Sequence, residues 1–362
     1  MIPEKKIPVG VVGATGLAGQ QLLLALVDHP RFEVRRLAAS SRSAGKTYAE
    51  ALRAEGGASR WTASPHPPAA FAPLPVEDAA TFDPEGLGLV FSAVDGEAAR
   101  PLEERLARLV PVVSTASAFR YDEDVPLVIP PVNADHADLV EVQRRRRGWK
   151  GFVAPIPNCT VTGLATTLAP LDRAFGVRRV LMTSLQAVSG AGRSPGVVAL
   201  DALDNVIPYI PREEEKVERE ARKILGRLVE GRIADHAMGV SCTCTRVAVL
   251  DGHTESVFVE FDRPASPEEV AEAMRSWRGA TEGLDLPSAP ERWIEVHDDP
   301  YRPQPRLDRE AGGGMTTSVG RIRAERLFDS GVKYVLVSHN TKAGAGKGAV
   351  LLAELLLARG HL

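Results

Sequence analysis

A chain of 362 residues, 44% hydrophobic and 25% charged, has room for two ordinary domains and a sizeable core. Its formal net charge of -3 gives no electrostatic basis for a nucleic-acid or membrane-surface partner. No apolar stretch reaches the roughly 18 residues of a membrane span, and three cysteines argue against a disulfide framework and for a reducing, cytoplasmic compartment.

The N-terminus, residues 1–8, carries charges and runs into a strand, so no signal peptide is expected. Residues 7–13 read as a short apolar strand that enters the loop Gly13-Ala14-Thr15-Gly16-Leu17-Ala18-Gly19, followed by a helix through Leu26. Residues 32–39, 87–93 and 110–113 read as further strands, with a helix over 97–106. This alternation predicts βαβ units and a parallel sheet. The segment 64–75 holds five prolines and reads as a surface loop. The run Arg144-Arg145-Arg146-Arg147 before Gly148 reads as the end of a helix, where cations complement the dipole.

After Asn158 the pattern changes. Val161, Leu164, Ala165 and Leu168 recur at helical spacing, so a helix starts directly after Cys159. Residues 180–187 alternate like a half-buried strand, and 213–228 form a charged amphipathic helix. Cys242 and Cys244 read as strand residues; no second pair is present to complete a zinc site, and no metal is expected. Residues 245–250 and 255–261 read as strands paired across Asp251-Gly252, a hairpin signal. Ser266-Pro267-Glu268-Glu269 is a capping box. A late strand over 332–339 and a helix over 349–359 close the chain. The order implies an α/β protein with a Rossmann-type dinucleotide-binding domain over 1–156, completed by a helix in 341–362. An α+β catalytic and dimerisation domain would span 157–340.

Three groups of residues suggest chemistry. Gly13, Gly16 and Gly19, with Thr15 between them, sit between strand and helix, where backbone amides and the helix dipole suit a pyrophosphate; a tight turn with no ligand is the alternative. The second strand ends in Ser40-Ser41-Arg42-Ser43, with no acid for a ribose diol. A cation with hydroxyls suits a 2'-phosphate, hence NADP rather than NAD, unless this is a solvated loop. Cys159 at a helix N-terminus is expected to have a lowered pKa, and the first helical amides to stabilise an oxyanion; an inert buried cysteine is equally compatible. His253 follows a turn and opens a strand, which suits a rigid base but also an ordinary turn histidine.

Gly13 to Gly19, Pro157-Asn158-Cys159-Thr160, Gln186-Ala187-Val188-Ser189-Gly190-Ala191-Gly192 and Arg246 to His253 together resemble the aspartate-semialdehyde dehydrogenases. Asn205-Val206-Ile207-Pro208-Tyr209-Ile210 and Arg302-Pro303-Gln304-Pro305-Arg306-Leu307-Asp308 resemble the archaeal and fungal branch. The resemblance runs through nearly the whole chain and implies NADP-dependent reduction of aspartyl phosphate to the semialdehyde, in lysine, threonine and methionine biosynthesis. It implies Cys159 as nucleophile and His253 as acid/base, with Asn158 and Gln186 orienting the acyl group. Arg246 would bind the carboxylate, Glu213 the amine, and Arg120 with Lys216 the phosphate. Ser92, Ser189, Gly190 and Asn340 would join the cofactor set, and the assembly would be a homodimer or homotetramer. Thr115, Thr245, Ala248 and Val94-Asp95 depart from the family pattern. The rivals are an acyl-CoA reductase such as a malonyl-CoA reductase on the same scaffold, glyceraldehyde-3-phosphate or acetylglutamyl-phosphate chemistry, and a catalytically silent NADP-binding paralogue.

Overall fold

Short apolar runs separated by helices can pair only as parallel strands, because each crossover helix returns the chain to the same end of the sheet. The computed structural model, which describes residues 5–63, 66–94, 96–192 and 198–362, has such a sheet. Its strands are β1 (Ile7–Val12), β2 (Phe32–Ala39), β3 (Val76–Asp78), β4 (Leu89–Ser92), β5 (Val112–Ser114) and β6 (Val153–Pro155). Their order, β3-β2-β1-β4-β5-β6, is doubly wound, with its switch point beside β1, where such sheets bind dinucleotides. The Ser64 end of the proline-rich loop, Asp95 and residues 1–4 lie outside the described residues.

Helix α1 (Leu17–Leu26) packs on this sheet because Gly19 has no side chain: a Cβ there would lie 2.2 Å from the Gly13 carbonyl oxygen. Helix α2 (Gly96–Ala107) follows β4, and helix α3 (Leu139–Arg147) ends on Gly148 in the left-handed conformation, with the four arginines in its last turn. The final helix, Gly346–Ala358, returns to lie on α1, and its Ala349, Val350, Leu352 and Leu356 belong to the same core as Val9, Leu22 and Phe91.

The second sheet is mixed. It contains β7 (Val177–Gln186), β10 (Gly239–Arg246), β11 (His253–Phe261), β12 (Ile294–His297), β13 (Thr317–Ala324) and β14 (Gly331–Ser338), in the order β10-β7-β11-β14-β13-β12; β8 (Arg227–Val229) and β9 (Arg232–Ala234) form a separate ribbon. The helix expected over 213–228 therefore ends at Ile224. On β7, Val180, Met182, Ser184 and Gln186 are buried, while Leu181 and Leu185 face outward. The helix Cys159–Phe175 crosses the buried face, and Leu164 and Leu168 share a core with Met182, Val257 and Leu336.

The hairpin expected across Asp251-Gly252 does not form. β10 pairs with β7 in parallel and β11 pairs with β7 antiparallel, so the long strand β7 lies between them. The connecting segment folds over the end of β7, where Val247 N–H donates to the Gln186 carbonyl and Val188 N–H to the Val249 carbonyl. An Asp-Gly turn is a local signal, and ten residues of alternating strand elsewhere in the chain outcompeted it. Arg246 and His253 thus flank Gln186 from opposite sides.

Candidate active site

The chain enters the Cys159 helix through Asn158, whose side-chain oxygen caps it by accepting from the Thr160 and Val161 amides at 2.9 and 3.3 Å. Those two amides are thereby engaged by the cap, which leaves the Cys159 N–H as the first-turn amide suited to an oxyanion. Cys159 lies on the floor of a pocket of about 530 Å³ lined also by Arg120, Ser189, Gly190, Glu213, Lys216, Arg246 and Asn340. Gly344 closes over it from the loop before the last helix. A Cβ at Gly344 would stand 2.7 Å from both Cys159 Cβ and the Asn340 carbonyl oxygen.

Cys159 Sγ lies 3.3 Å from His253 Nε2. His253 is fully buried, and its Nδ1 accepts the Ala187 N–H at 3.1 Å. A neutral imidazole that accepts at Nδ1 carries its proton on Nε2, so the ring presents a donor to the sulfur. Gln186 Nε2 spends its two hydrogens on Thr160 Oγ1 (2.8 Å) and Glu213 Oε1 (3.0 Å), so its 3.4 Å approach to His253 is packing, not a competing bond. Burial, with Arg246 beside it, pushes the His253 imidazole down to about 3, and the ring is neutral near pH 7. Burial likewise pushes the Cys159 thiol up to about 12; Glu213 adds to this, while Arg246, Arg120 and the Thr160 amide oppose it. The expected lowering by the helix N-terminus is therefore outweighed in the ligand-free pocket, and the sulfur rests protonated.

Helix α4 (Cys159–Phe175) faces helix α5 (Glu213–Ile224). Glu213 is buried and accepts from Asn158 Nδ2 at 2.8 Å; its pKa is set by burial, which raises it, and by Asn158, Lys216 and Gln186, which together bring it below the usual value. Lys216 Nζ lies 3.4 Å from the other Glu213 oxygen at the pocket wall. Arg246 donates to the Ala187 carbonyl at 2.7 Å, and Gly190 leaves it room, since a Cβ there would meet Arg246 Nη1 at 2.8 Å. Asn340 links Ser189 Oγ (2.8 Å) to the Gly252 amide (2.9 Å). Thr115 supplies a carbonyl to Arg120 Nη2 at 3.1 Å, Thr245 Oγ1 donates to the Ser184 carbonyl, and nothing in the structure explains Ala248.

A second cleft of about 870 Å³ runs along the carboxyl ends of the parallel strands, lined by Gly13, Thr15, Gly16, Ser41, Arg42 and Ser43. Gly16 caps α1 without a side-chain bond, which leaves its first-turn amides suited to an anion. Gly19 serves the packing of α1 instead of lining this cleft. Ser92 is also displaced from its expected role: its hydroxyl is fully buried and donates to Glu103 Oε1 at 2.7 Å. Sequence reasoning missed Asp78, an acid at the end of β3 that lines the same cleft. It also missed Glu220, which carries a helical signal seven positions after Glu213. Among the described residues no group of histidine, cysteine and carboxylate side chains is placed to hold a metal, and no helix is long and apolar enough to cross a membrane.

Residues 8–140 match the family model for the semialdehyde dehydrogenase NAD binding domain, and residues 168–342 the one for the semialdehyde dehydrogenase dimerisation domain. The chain is 45% identical to an aspartate-semialdehyde dehydrogenase of Methanothermobacter thermautotrophicus, over 97% of this chain and 99% of that one. It is 43% identical to the Candida albicans enzyme of the same name, over 97% and 98%. Its fold is similar to a crystal structure of aspartate semialdehyde dehydrogenase with NADP from Candida albicans, with a TM-score of 0.87 and 40% identity over 98% of this chain and all of that one. The α/β class read from the sequence agrees with this, and the chain belongs to the aspartate-semialdehyde dehydrogenase family.

Proposed function

We propose that this chain interconverts L-aspartyl 4-phosphate and L-aspartate 4-semialdehyde with NADP and inorganic phosphate, through a thioacyl bond on Cys159. The observation that carries this reading is the 3.3 Å approach of Cys159 Sγ to His253 Nε2 on the floor of a pocket walled by Arg246, Glu213, Lys216 and Arg120. Each wall group suits one part of the substrate: the Arg246 fork a carboxylate, Glu213 an ammonium, Arg120 and Lys216 a phosphate.

In the reductive direction the sulfur attacks the acyl carbonyl. A C–S bond forms, the C–O bond to phosphate breaks, and the thiol proton leaves with the phosphate. Nε2–H of His253 stabilises the sulfur whenever it carries negative charge, as it approaches the carbonyl and again as the aldehyde leaves, after which the thiolate takes up one proton from solvent to restore the resting thiol. Asn158 and Gln186 hold Glu213 and Thr160 around the acyl group. NADPH, when bound, supplies the hydride. Gly13, Thr15 and Gly16 would hold its pyrophosphate, Ser41, Arg42 and Ser43 its 2'-phosphate, and Ser189, Gly190 and Asn340 would border its nicotinamide. The cleft suits that cofactor in its glycine-lined helix start and in a cation flanked by hydroxyls. Glu213, a buried carboxylate facing the pocket, weighs against a malonyl thioester, which has no amine to pair with it.

The natural division is a cofactor domain over 1–156, completed by 341–362, and a catalytic domain over 157–340. A homodimer or homotetramer would form through the second sheet, whose β7 presents Leu181 and Leu185 outward. The three free cysteines suit a reducing cytoplasm. The test is Cys159→Ala, which should abolish phosphate-dependent oxidation of aspartate semialdehyde and leave NADP binding intact. Retained turnover, or a preference for CoA over phosphate, rejects the reading.

A further inference from the structure

One face of α5 carries four charged residues, Glu213, Lys216, Glu220 and Lys223, and the mechanism above uses only the first two. Glu220 is completely buried and divides its two oxygens between two parts of the site. Oε1 accepts from Arg120 Nη1 at 3.0 Å and from the Tyr121 hydroxyl at 3.1 Å. Oε2 accepts the backbone N–H of Asn158 at 2.7 Å, one residue before the nucleophile. One carboxylate therefore spans from the guanidinium to the start of the Cys159 helix.

We propose that Glu220 is a positioning residue that fixes Arg120, as phosphate receptor, at a set distance from Cys159. This rests on the reading of Arg120 as a phosphate-binding group. Three observations support it. The Arg120–Glu220 pair is buried on both sides, so the guanidinium has no solvent-exposed alternative geometry. Nη1 gives one hydrogen to Glu220 and Nη2 one to the Thr115 carbonyl, and the second hydrogen on each leaves a donor unspent for an anion. One helical turn further on, Lys223 Nζ donates to the carbonyls of Arg120 (2.8 Å), Asp122 (3.0 Å) and Val125 (2.8 Å), pinning the backbone from which Arg120 projects. Glu220 sets the head of Arg120 and Lys223 its root. A neutral amide in place of Glu220 cannot accept from both Arg120 and Asn158 with the same strength, because only one of its two terminal atoms is an acceptor.

The experiment is steady-state kinetics of Glu220→Gln in the oxidative direction, varying inorganic phosphate, aspartate semialdehyde and NADP in turn. The KM for phosphate should rise by about tenfold or more, the scale of a lost charged hydrogen bond, with the KM for NADP unchanged. Glu220→Asp keeps the buried charge and serves as the second variant if the amide does not fold; it should raise the phosphate KM by a smaller factor. An unchanged phosphate KM in either folded variant overturns the inference, as does a uniform loss of kcat with all three KM values intact. Absence of phosphate-dependent turnover in the unaltered protein would instead reject the function proposed above, so the two failures are distinct.

Discussion

At Cys159, burial and charge act in opposite senses. Enclosure and Glu213 hold the thiol protonated, up to about 12, while Arg246, Arg120 and the Thr160 amide favour the thiolate. A partly enclosed, protonated sulfur resists oxidation in the resting protein better than an exposed, ionised cysteine does. Alkylation of Cys159 in the ligand-free protein should therefore keep accelerating with pH into the alkaline range. Arg246→Gln should slow it further by removing the nearer cation. A rate that levels off near neutral pH, read by mass spectrometry of the Cys159 peptide, would show a sulfur already ionised and contradict this. His253 complements this arrangement: with Nδ1 held by the Ala187 amide, it donates to charge on sulfur and does not have to store a second proton in an apolar interior.

At the scale of elements, α2 carries a buried carboxyl into the parallel sheet. Glu103 Oε1 accepts from Ser92 Oγ (2.7 Å) and Ser114 Oγ (2.6 Å), at the ends of β4 and β5, while Oε2 has no partner. Burial raises its pKa to about 7 against those two hydrogen bonds. A carboxyl with a raised folded-state pKa binds its proton more tightly in the native than in the unfolded chain. Its contribution to stability thus falls as pH rises from the unfolded value of about 4.5 towards 7 and is level above that. In Glu103→Gln the slope of melting temperature against pH across that window should be shallower than in the unaltered protein; identical slopes would mean that Glu103 is not the titrating group. Such features separate what was legible in the sequence from what was not. β1, β2, α1 and the capping box at Ser266 were readable because their signals are local: periodicity, glycine spacing and cap chemistry. The three-residue strands β3, β5 and β6 are too short to show a period, which is why the first and last went unread and the second was read two residues early. The Asp251-Gly252 turn was read as a hairpin because nothing local reveals that β7 intervenes. In the site, Cys159, Gln186, Arg246 and His253 came from motifs in order along the chain. Glu220 stood in a helix so charged that its burial could not be told from its neighbours' exposure, and the upward shift of the Cys159 pKa depends on enclosure by Gly344, far along the chain.

Across the whole molecule, the last helix decides how the two sheets are held together. Glu354 is completely buried near its end, and its Oε1 accepts from His29 Nε2 at 2.8 Å and from Ser288 Oγ at 2.6 Å, with the Ser288 amide 3.0 Å from Oε2. His29 lies between α1 and β2 of the parallel sheet, and Ser288 on the segment leading to β12 of the mixed sheet. Its Nδ1 accepts the Arg31 and Phe32 amides, so the proton on Nε2 points at Glu354. Arg31 ties the same two segments through Asp285 at 2.8 Å. One carboxylate thus joins three stretches of chain, 325 residues from His29 and 66 from Ser288, and no sequence pattern marks it. Glu354→Ala would strand the buried His29 Nε2–H and Ser288 amide, at about 1–3 kcal/mol for each unmet donor. The melting temperature should drop by several degrees. Glu354→Gln keeps one acceptor and should lose less. If the last helix served only the parallel sheet, the alanine variant would lose stability without altering the second sheet. If it clamps the two, hydrogen exchange should quicken both in residues 26–32 and in residues 285–288. Faster exchange on the first side alone would refute the clamp. The clamp matters for the site because the loop that leads into this helix carries Asn340 and Gly344 over Cys159. The element that fixes the spacing of the two sheets therefore also fixes the lid over the nucleophile, and the alanine variant should lose turnover in step with that faster exchange.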